Sequence, residues 1–466
     1  MDDKNSLEKN AVGFWSLLGQ SVALIAPLGA VAATLTGSAA FALGSLPLAY
    51  LLAIFGVLTW INVPYQFSKK ITNAGGFYTF ALGGIGPRYG LVTGLLYLFS
   101  YFNVITNAIL FTGGVFIPSI LSEFLGITLP SWFWIIFLIV FLTSFTVLAY
   151  LGIRPSLKYS FAASLIEIVL LIWLSITIIL KVGPHNTLVP FTPIAPGGWV
   201  AVFEGMILAI FSMSGSSGAV YIAEEVKQPR KNVRLAVLIS FLITGVVFVL
   251  VSYAFTVGWG IDNMATFASS GIPGLILADK YIGLPATIIL FIFIVNSLFA
   301  GSLAPLNSAA RLLYALGRDG VLPSFFGEVH PKYKSPANSI LFLAILSAIV
   351  SIAAGLIMGP YYGFLYLILA SSIALFIGHI LGDIALPFFY NRIRNFNIVL
   401  HGITPAISFI ILVIGIYYSF YPPTYPINIA AITTSAFAIL VIIYALINKN
   451  IQKLRNLNFE EPDDKV

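Results

Sequence analysis

Ala23-Leu24-Ile25-Ala26-Pro27-Leu28-Gly29-Ala30 lies in the middle of an apolar run that covers residues 13–36. The run is long enough to cross a bilayer as one helix. Pro27 cannot donate the helical hydrogen bond its position calls for, and Gly29 loosens the backbone two residues on. The stretch therefore predicts a membrane helix broken near its midpoint. A second such stretch, Phe211-Ser212-Met213-Ser214-Gly215-Ser216-Ser217-Gly218, interrupts the apolar run at 198–223. Two glycines and four serines at that depth predict an unwound segment whose backbone is free to bond a ligand.

Between and beyond these two runs the sequence carries ten more of spanning length. The full set lies near 13–36, 41–66, 89–121, 131–153, 159–180, 198–223, 233–258, 285–316, 338–358, 361–385, 397–420 and 426–447. The runs at 89–121 and 285–316 exceed what a bilayer needs, so tilt or an extension beyond it is expected. Composition agrees. Of 466 residues, 59% are hydrophobic and 9% charged, against about 25% charged in an ordinary soluble domain, and the mean hydropathy is +0.99. No single soluble core hides that much apolar surface, so the lipid bilayer is its solvent and partner.

The loops set the orientation. With twelve spans, 21 of the 23 Lys and Arg residues fall on the side of the termini, among them Lys69, Arg88, Arg154, Lys227, Arg230, Arg318, Lys332 and Arg392, and only Lys181 and Lys280 fall on the other. The positive-inside rule makes the basic side cytoplasmic, with both termini there and the chain multi-pass in the cell membrane. The net charge of +6 resides in these short loops and does not point to nucleic acid. The first apolar run is too long, and too poor in a cleavage site, for a removable signal. Cysteine is absent, which excludes disulfides and thiolate metal sites, and His185, His330, His379 and His401 show no zinc spacing. No cofactor or metal is expected, and no enzyme either: neither paired acids, a His–Ser pair nor a metal cluster appears within the spans.

The two breaks stand five spans apart, the pattern of two five-helix inverted repeats holding a small-molecule substrate at the broken midpoints. Freed N–H groups at a half-helix N-terminus suit a carboxylate, and freed carbonyls suit an ammonium or a metal cation. On this reading Ile25, Ala26, Pro27, Leu28, Gly29 and Ala30 from the first break, with Phe211, Ser212, Ser214, Gly215 and Ser216 from the second, form the substrate site.

Three stretches resemble the amino acid–polyamine–organocation (APC) transporter superfamily, in its amino acid permease-like form. Asn73-Ala74-Gly75-Gly76-Phe77-Tyr78-Thr79-Phe80 is similar to that family's G-G-x-Y element after the second helix. Phe211 through Pro229 is similar to its sixth helix. Arg311-Leu312-Leu313-Tyr314-Ala315-Leu316-Gly317-Arg318-Asp319-Gly320-Val321-Leu322-Pro323 is similar to its long element after the eighth. The resemblance covers ten helices. It implies an all-α membrane protein of twelve transmembrane helices with the LeuT-type 5+5 inverted repeat and broken helices 1 and 6. One transporter domain, 1–466, would divide into a first repeat at 13–180, a second at 198–385, two added helices at 397–447 and a cytoplasmic tail at 448–466. The function implied is secondary active transport of amino acids or related amines by alternating access, with Phe211 as the aromatic gate.

The chain departs from the family in three places. Ile25-Ala26-Pro27 stands where Gly-Ser-Gly is usual, and is more similar to the polyamine branches. Gly215-Ser216-Ser217 stands where an acid usually follows the gate. Glu167 stands where the fifth helix often carries a Lys. Nine residues beyond Lys158, it lies about 13 Å deep in a core of ~30 Å, where a carboxylate is costly to leave charged. Glu167 is thus the expected coupling residue, with Ser297 and Ser302 on the eighth helix as hydroxyls for a cation. A proton is favoured over sodium, because one carboxylate and two hydroxyls make a thin sodium cage. Sodium-coupled symport, and an exchanger or polyamine importer without net ion coupling, stay open. Glu224 and Glu225 facing Lys227, Arg230 and Lys231 form an expected cytoplasmic gate. Glu204 is expected near the external vestibule, and His379 and Asp383, four apart, on one face of the tenth helix.

Overall fold

A computed structural model describes residues 6–420 and 423–456. The first five residues, and residues 457–466 of the expected tail, lie outside the described residues. Among those described, twelve apolar segments have the length to span a membrane. In chain order they are α1 (Phe14–Ala33), α2 (Leu35–Phe67), α3 (Pro87–Leu125), α4 (Phe133–Tyr150), α5 (Ile153–His185), α6 (Trp199–Glu225), α7 (Pro229–Trp259), α8 (Leu284–Arg318), α9 (Ala337–Met358), α10 (Pro360–Arg392), α11 (Ile398–Phe420) and α12 (Ile427–Ile447). Each corresponds to one of the twelve expected runs, and the described residues form no named strand.

The differences from expectation lie at the ends. α2 opens with a short helix, Leu35–Ala42, and a tight turn, Leu43–Ser45, before its long part, Leu46–Phe67. α5 begins at Ile153, where Gly152 at φ 109° ends the preceding turn. α3 is long because it continues through a π-helical turn, Thr112–Phe116. There Gly113 and Gly114 let the widened turn touch neighbours: an added Cβ would lie 2.5 Å from Phe137 and 2.3 Å from Pro360. Two short helices, Phe77–Ile85 and Pro273–Tyr281, lie outside the spans.

α1 is the most enclosed of the helices, together with α6. It packs against α5, α6, α7 and α8, while α3 and α10 pack along one another and α11 and α12 flank the outside. The outer face is apolar: Ile345, Leu356, Ile357, Ile432, Leu440 and Ile447 are all more than half exposed. Surface of this kind needs lipid as its solvent.

Candidate substrate site

The first break is built by Pro27. The opening half-helix of α1, Phe14–Ile25, closes at Ala26, which sits in the left-handed region at φ 49° and donates its N–H to Val22 (3.0 Å) and Ala23 (3.1 Å). An alanine there costs about 1–2 kcal/mol of backbone strain. The second half-helix, Pro27–Ala33, starts from the Ala26 carbonyl, which accepts the Ala30 N–H at 2.7 Å. In an unbroken helix Leu28 and Gly29 would donate to the Leu24 and Ile25 carbonyls. Here the Leu28 N–H goes to Glu167 Oε2 (3.3 Å) and the Gly29 N–H to Ser297 Oγ (3.0 Å), while the Ser297 hydroxyl donates to the same Glu167 oxygen at 2.6 Å.

This arrangement corrects one expectation. The N–H groups freed by the break are not waiting for a substrate carboxylate; the protein's own carboxylate caps that helix end, as an acid at an N-terminus does. What the break leaves without its helical donors is a pair of carbonyls, those of Leu24 and Ile25. Glu167 is fully buried, and its other oxygen, Oε1, has no partner among the described residues.

The second break is a tightening rather than an opening. The α-helical part of α6 runs Trp199–Met213 and passes into a 3₁₀ helix, Ser214–Glu225. The expected unwinding fails for a packing reason. A Cβ on Gly215 would lie 2.6 Å from Leu24 carbonyl atoms and Ile25 N, and one on Gly218 would lie 2.8 Å from Leu24 Cδ2. The narrower 3₁₀ coil lets α6 press its glycine edge onto the break in α1 while keeping its own backbone bonds. Ser212 and Ser214 turn their hydroxyls back to the Ala209 (2.7 Å) and Phe211 (2.8 Å) carbonyls, whereas the Ser216 and Ser217 hydroxyls have no partner among the described residues.

Between the breaks lies a cavity of about 130 Å³. Of the expected residues, Ile25, Ala26, Gly29 and Ala30 line it from α1, and Phe211, Ser212, Ser214 and Gly215 from α6. Phe211 meets Phe376 edge-on at 6.1 Å. Pro27, Leu28 and Ser216 shape the backbone but do not line the cavity.

Sequence reasoning missed the opposite wall, made by Trp60, Tyr97, Ser100, Tyr101, Asn107 and Ser371. The signal was present: Tyr97, Ser100, Tyr101, Val104 and Asn107 recur at helical spacing on one face of α3. Behind this wall stands His379. Pro64, four residues after Trp60, has no N–H, so the Trp60 carbonyl lacks its helical donor, and His379 Nε2 fills it at 3.1 Å. A carbonyl only accepts, so the His379 proton sits on Nε2. Nδ1 then accepts from the Tyr97 hydroxyl at 3.0 Å, with the imidazole stacked on Trp60 at 4.0 Å. His379 and Asp383 do not pair; Asp383 Oδ2 accepts from Ser408 of α11 at 2.9 Å.

Other expected residues stand elsewhere. Ser302 donates to the Leu298 carbonyl at 2.8 Å and does not join Glu167. Glu204 lies beside the Tyr418 side chain on peripheral α11. The expected gate acids do not face Lys227, Arg230 and Lys231: helix 8 supplies nearer cations. Glu225 pairs with Arg311, both buried, through a bidentate contact whose Nη2–Oε1 arm is 3.1 Å. Glu224 pairs with Arg318 at 2.9 Å and accepts the Ala74 N–H at 3.0 Å. The Tyr78 hydroxyl donates to Asp319 at 2.8 Å. Burial pushes the Asp319 carboxyl up, and the neighbouring Arg318 opposes the shift. Val12 crosses this end, bonding the Glu225 carbonyl and the Lys227 N–H at 2.9 Å each, and Glu8 meets Arg154 at 2.5 Å. The three stretches that carried the family resemblance thus converge on one end of the bundle.

Twelve apolar helices around a cavity that straddles a broken first helix define the class: a multi-pass membrane transporter. The comparisons with known proteins agree, for residues 16–460 match the family described as "Amino acid permease", and the chain belongs to that family, within the APC superfamily. It is a transporter and not an enzyme. The chain is 26% identical over 321 residues to the low-affinity putrescine importer PlaP of Escherichia coli strain K12, covering 68% of each chain. It is 27% identical over 353 residues to the branched-chain amino acid permease BcaP of Bacillus subtilis strain 168, covering 73% of this chain and 72% of that one. Against cationic amino acid transporter 7, chloroplastic, of Arabidopsis thaliana it is 24% identical over 369 residues, covering 74% and 60%.

Proposed function

We propose that this permease moves amino acids across the cell membrane by alternating access, as a proton-coupled symporter with Glu167 as the coupling residue. The observation that carries the reading is the seat of Glu167, whose carboxylate caps the second half of α1 through the Leu28 N–H and through Ser297. A substrate entering the cavity presents its ammonium to the Leu24 and Ile25 carbonyls, at the negative end of the first half-helix. Its carboxylate competes with Glu167 for the N–H groups at the positive end of the second. A protonated Glu167 is the weaker competitor. Proton and substrate therefore promote each other's binding, which is the thermodynamic content of symport. Sodium fits less well, since Glu167 and Ser297 are two oxygens and Ser302 is engaged with Leu298.

The breaks in α1 and α6 lie five helices apart, in keeping with inverted repeats at 13–180 and 198–385 followed by two added helices. The basic end, with Glu224–Arg318 and Glu225–Arg311, would be cytoplasmic and closed, with Phe211 covering the substrate from the other side. The test is uptake of labelled amino acid into proteoliposomes under an imposed pH gradient, without sodium. Wild-type uptake should rise as external pH falls. Glu167→Gln, which mimics the protonated acid, should keep substrate binding and lose both the pH response and concentrative uptake. An unchanged pH profile in Glu167→Gln would remove Glu167 from the coupling step.

A further inference from the structure

The relatives carry substrates of different charge, so the cavity wall has to decide for this chain. Among the described residues that line it, not one is Asp, Glu, Lys, Arg or His. Its polar members are largely matched to protein groups. Ser100 and Ser371 share a hydrogen bond at 3.0 Å, the Asn107 amide donates to the Asn103 carbonyl at 2.9 Å, and Ser212 and Ser214 are turned onto their own helix. Thr34, Trp60, Tyr97, Tyr101 and Ser217 add polar but uncharged edges, and Val104, Phe211, Leu298, Ile368 and Leu375 supply apolar surface. The buried acids stand outside it: Glu167 beyond the break, Asp383 bonded to Ser408, and Glu225 held by Arg311.

The electrical partners at the break are the negative end of the first half-helix and, once Glu167 yields its cap, the positive end of the second. They match a zwitterion, whose charges cancel. A third charge, on the substrate's side chain, would enter a desolvated space with nothing to meet it. A diamine would set one ammonium on the Leu24 and Ile25 carbonyls and leave the other unpaired. As for size, an apolar cavity of ~150 Å³ accommodates a benzene-sized group, and the volume here, about 130 Å³, is of that order.

Resting on the site reading above, we propose that the substrates of this permease are neutral amino acids with apolar side chains of about leucine size, and that diamines and amino acids with charged side chains are excluded by the uncharged wall formed by α3, α6, α8 and α10.

The experiment uses the purified full chain and six probes: L-leucine, L-isoleucine, L-valine, L-lysine, L-glutamate and putrescine. Thermal shift reads binding, because a ligand of the native state raises its apparent stability; counterflow in proteoliposomes reads transport. Leucine, isoleucine and valine should bind and exchange. Lysine, glutamate and putrescine should bind roughly a hundredfold more weakly, the scale of an unpaired charged group. A second arm adds a charge to the wall. Val104→Asp should raise the preference for lysine over leucine at least about tenfold, and Val104→Asn, of the same shape without the charge, should not. Binding of lysine or putrescine as tight as that of leucine, or no binding by any apolar probe, overturns the proposal. If a charged probe exchanges, transport survives and the selectivity falls; if leucine binds without exchanging, the selectivity survives and the transport reading falls.

Discussion

Ser297 Oγ stands between the two partners it joins, accepting the Gly29 N–H at 3.0 Å and donating to Glu167 at 2.6 Å. One hydroxyl thus ties α8 to both the broken helix and the buried acid. Ser297→Ala should strand the Gly29 N–H and lower stability by about 1–3 kcal/mol, and it should shift the pH profile of uptake. Ser302→Ala, which removes only a bond to the Leu298 carbonyl, should leave that profile alone. Melting curves together with uptake at several pH values check both; equal effects from the two serines would contradict a special place for Ser297.

Gly29 and Gly215 both line the cavity, but they should fail differently. A Cβ on Gly29 meets the movable end of Leu298 at 2.9 Å, whereas one on Gly215 meets the Leu24 and Ile25 backbone at 2.6 Å. Gly29→Ala should therefore fold and bind substrate more weakly. Gly215→Ala should force the two broken helices apart and lower the melting temperature. Size-exclusion profiles and thermal shift with leucine separate the outcomes, and a Gly215→Ala protein of wild-type stability would contradict the close packing.

Glu225 and Arg311 are both buried, so loss of one partner leaves the other charged and alone. Arg311→Met or Glu225→Met should each cost roughly 3–5 kcal/mol, and the double replacement should cost less than either. Glu224→Gln, at a partly exposed pair with Arg318, should cost under ~1 kcal/mol. Thermal denaturation of the four variants in detergent decides; additive losses at the buried pair would show that the two side chains act independently.

Orientation can be read directly because the chain has no cysteine of its own. A membrane-impermeant thiol reagent applied from outside should label His185→Cys and spare Lys332→Cys. The reverse pattern would place the basic loops outside.

What the sequence disclosed and what it hid follow from range. Pro27, the Gly–Ser run at 212–218 and the apolar lengths act locally, so both discontinuities and all twelve helices were legible. Counting from Lys158 singled out Glu167, and the structure buries it. Its partner did not follow from counting, because whether a freed N–H meets a substrate or a protein carboxylate depends on α5 and α8 closing around α1. The gate acids were misread for a similar reason: Lys227, Arg230 and Lys231 are near Glu224 and Glu225 in sequence, but Arg311 and Arg318 are near in space. The α3 wall was legible and overlooked, since its polar face is diluted by apolar neighbours.

The 3₁₀ form of Ser214–Glu225 also stores length. Its twelve residues rise about 2.0 Å each, against about 1.5 Å in an α-helix, so the segment reaches roughly 6 Å farther than the same residues would if regularly coiled. Glu224 and Glu225, at the far end of this segment, meet Arg318 and Arg311. Were helix 6 to rewind when substrate fills the cavity, the chain would retract by more than an ion pair can stretch, and the end that holds these ion pairs would be pulled open by shortening rather than pushed open.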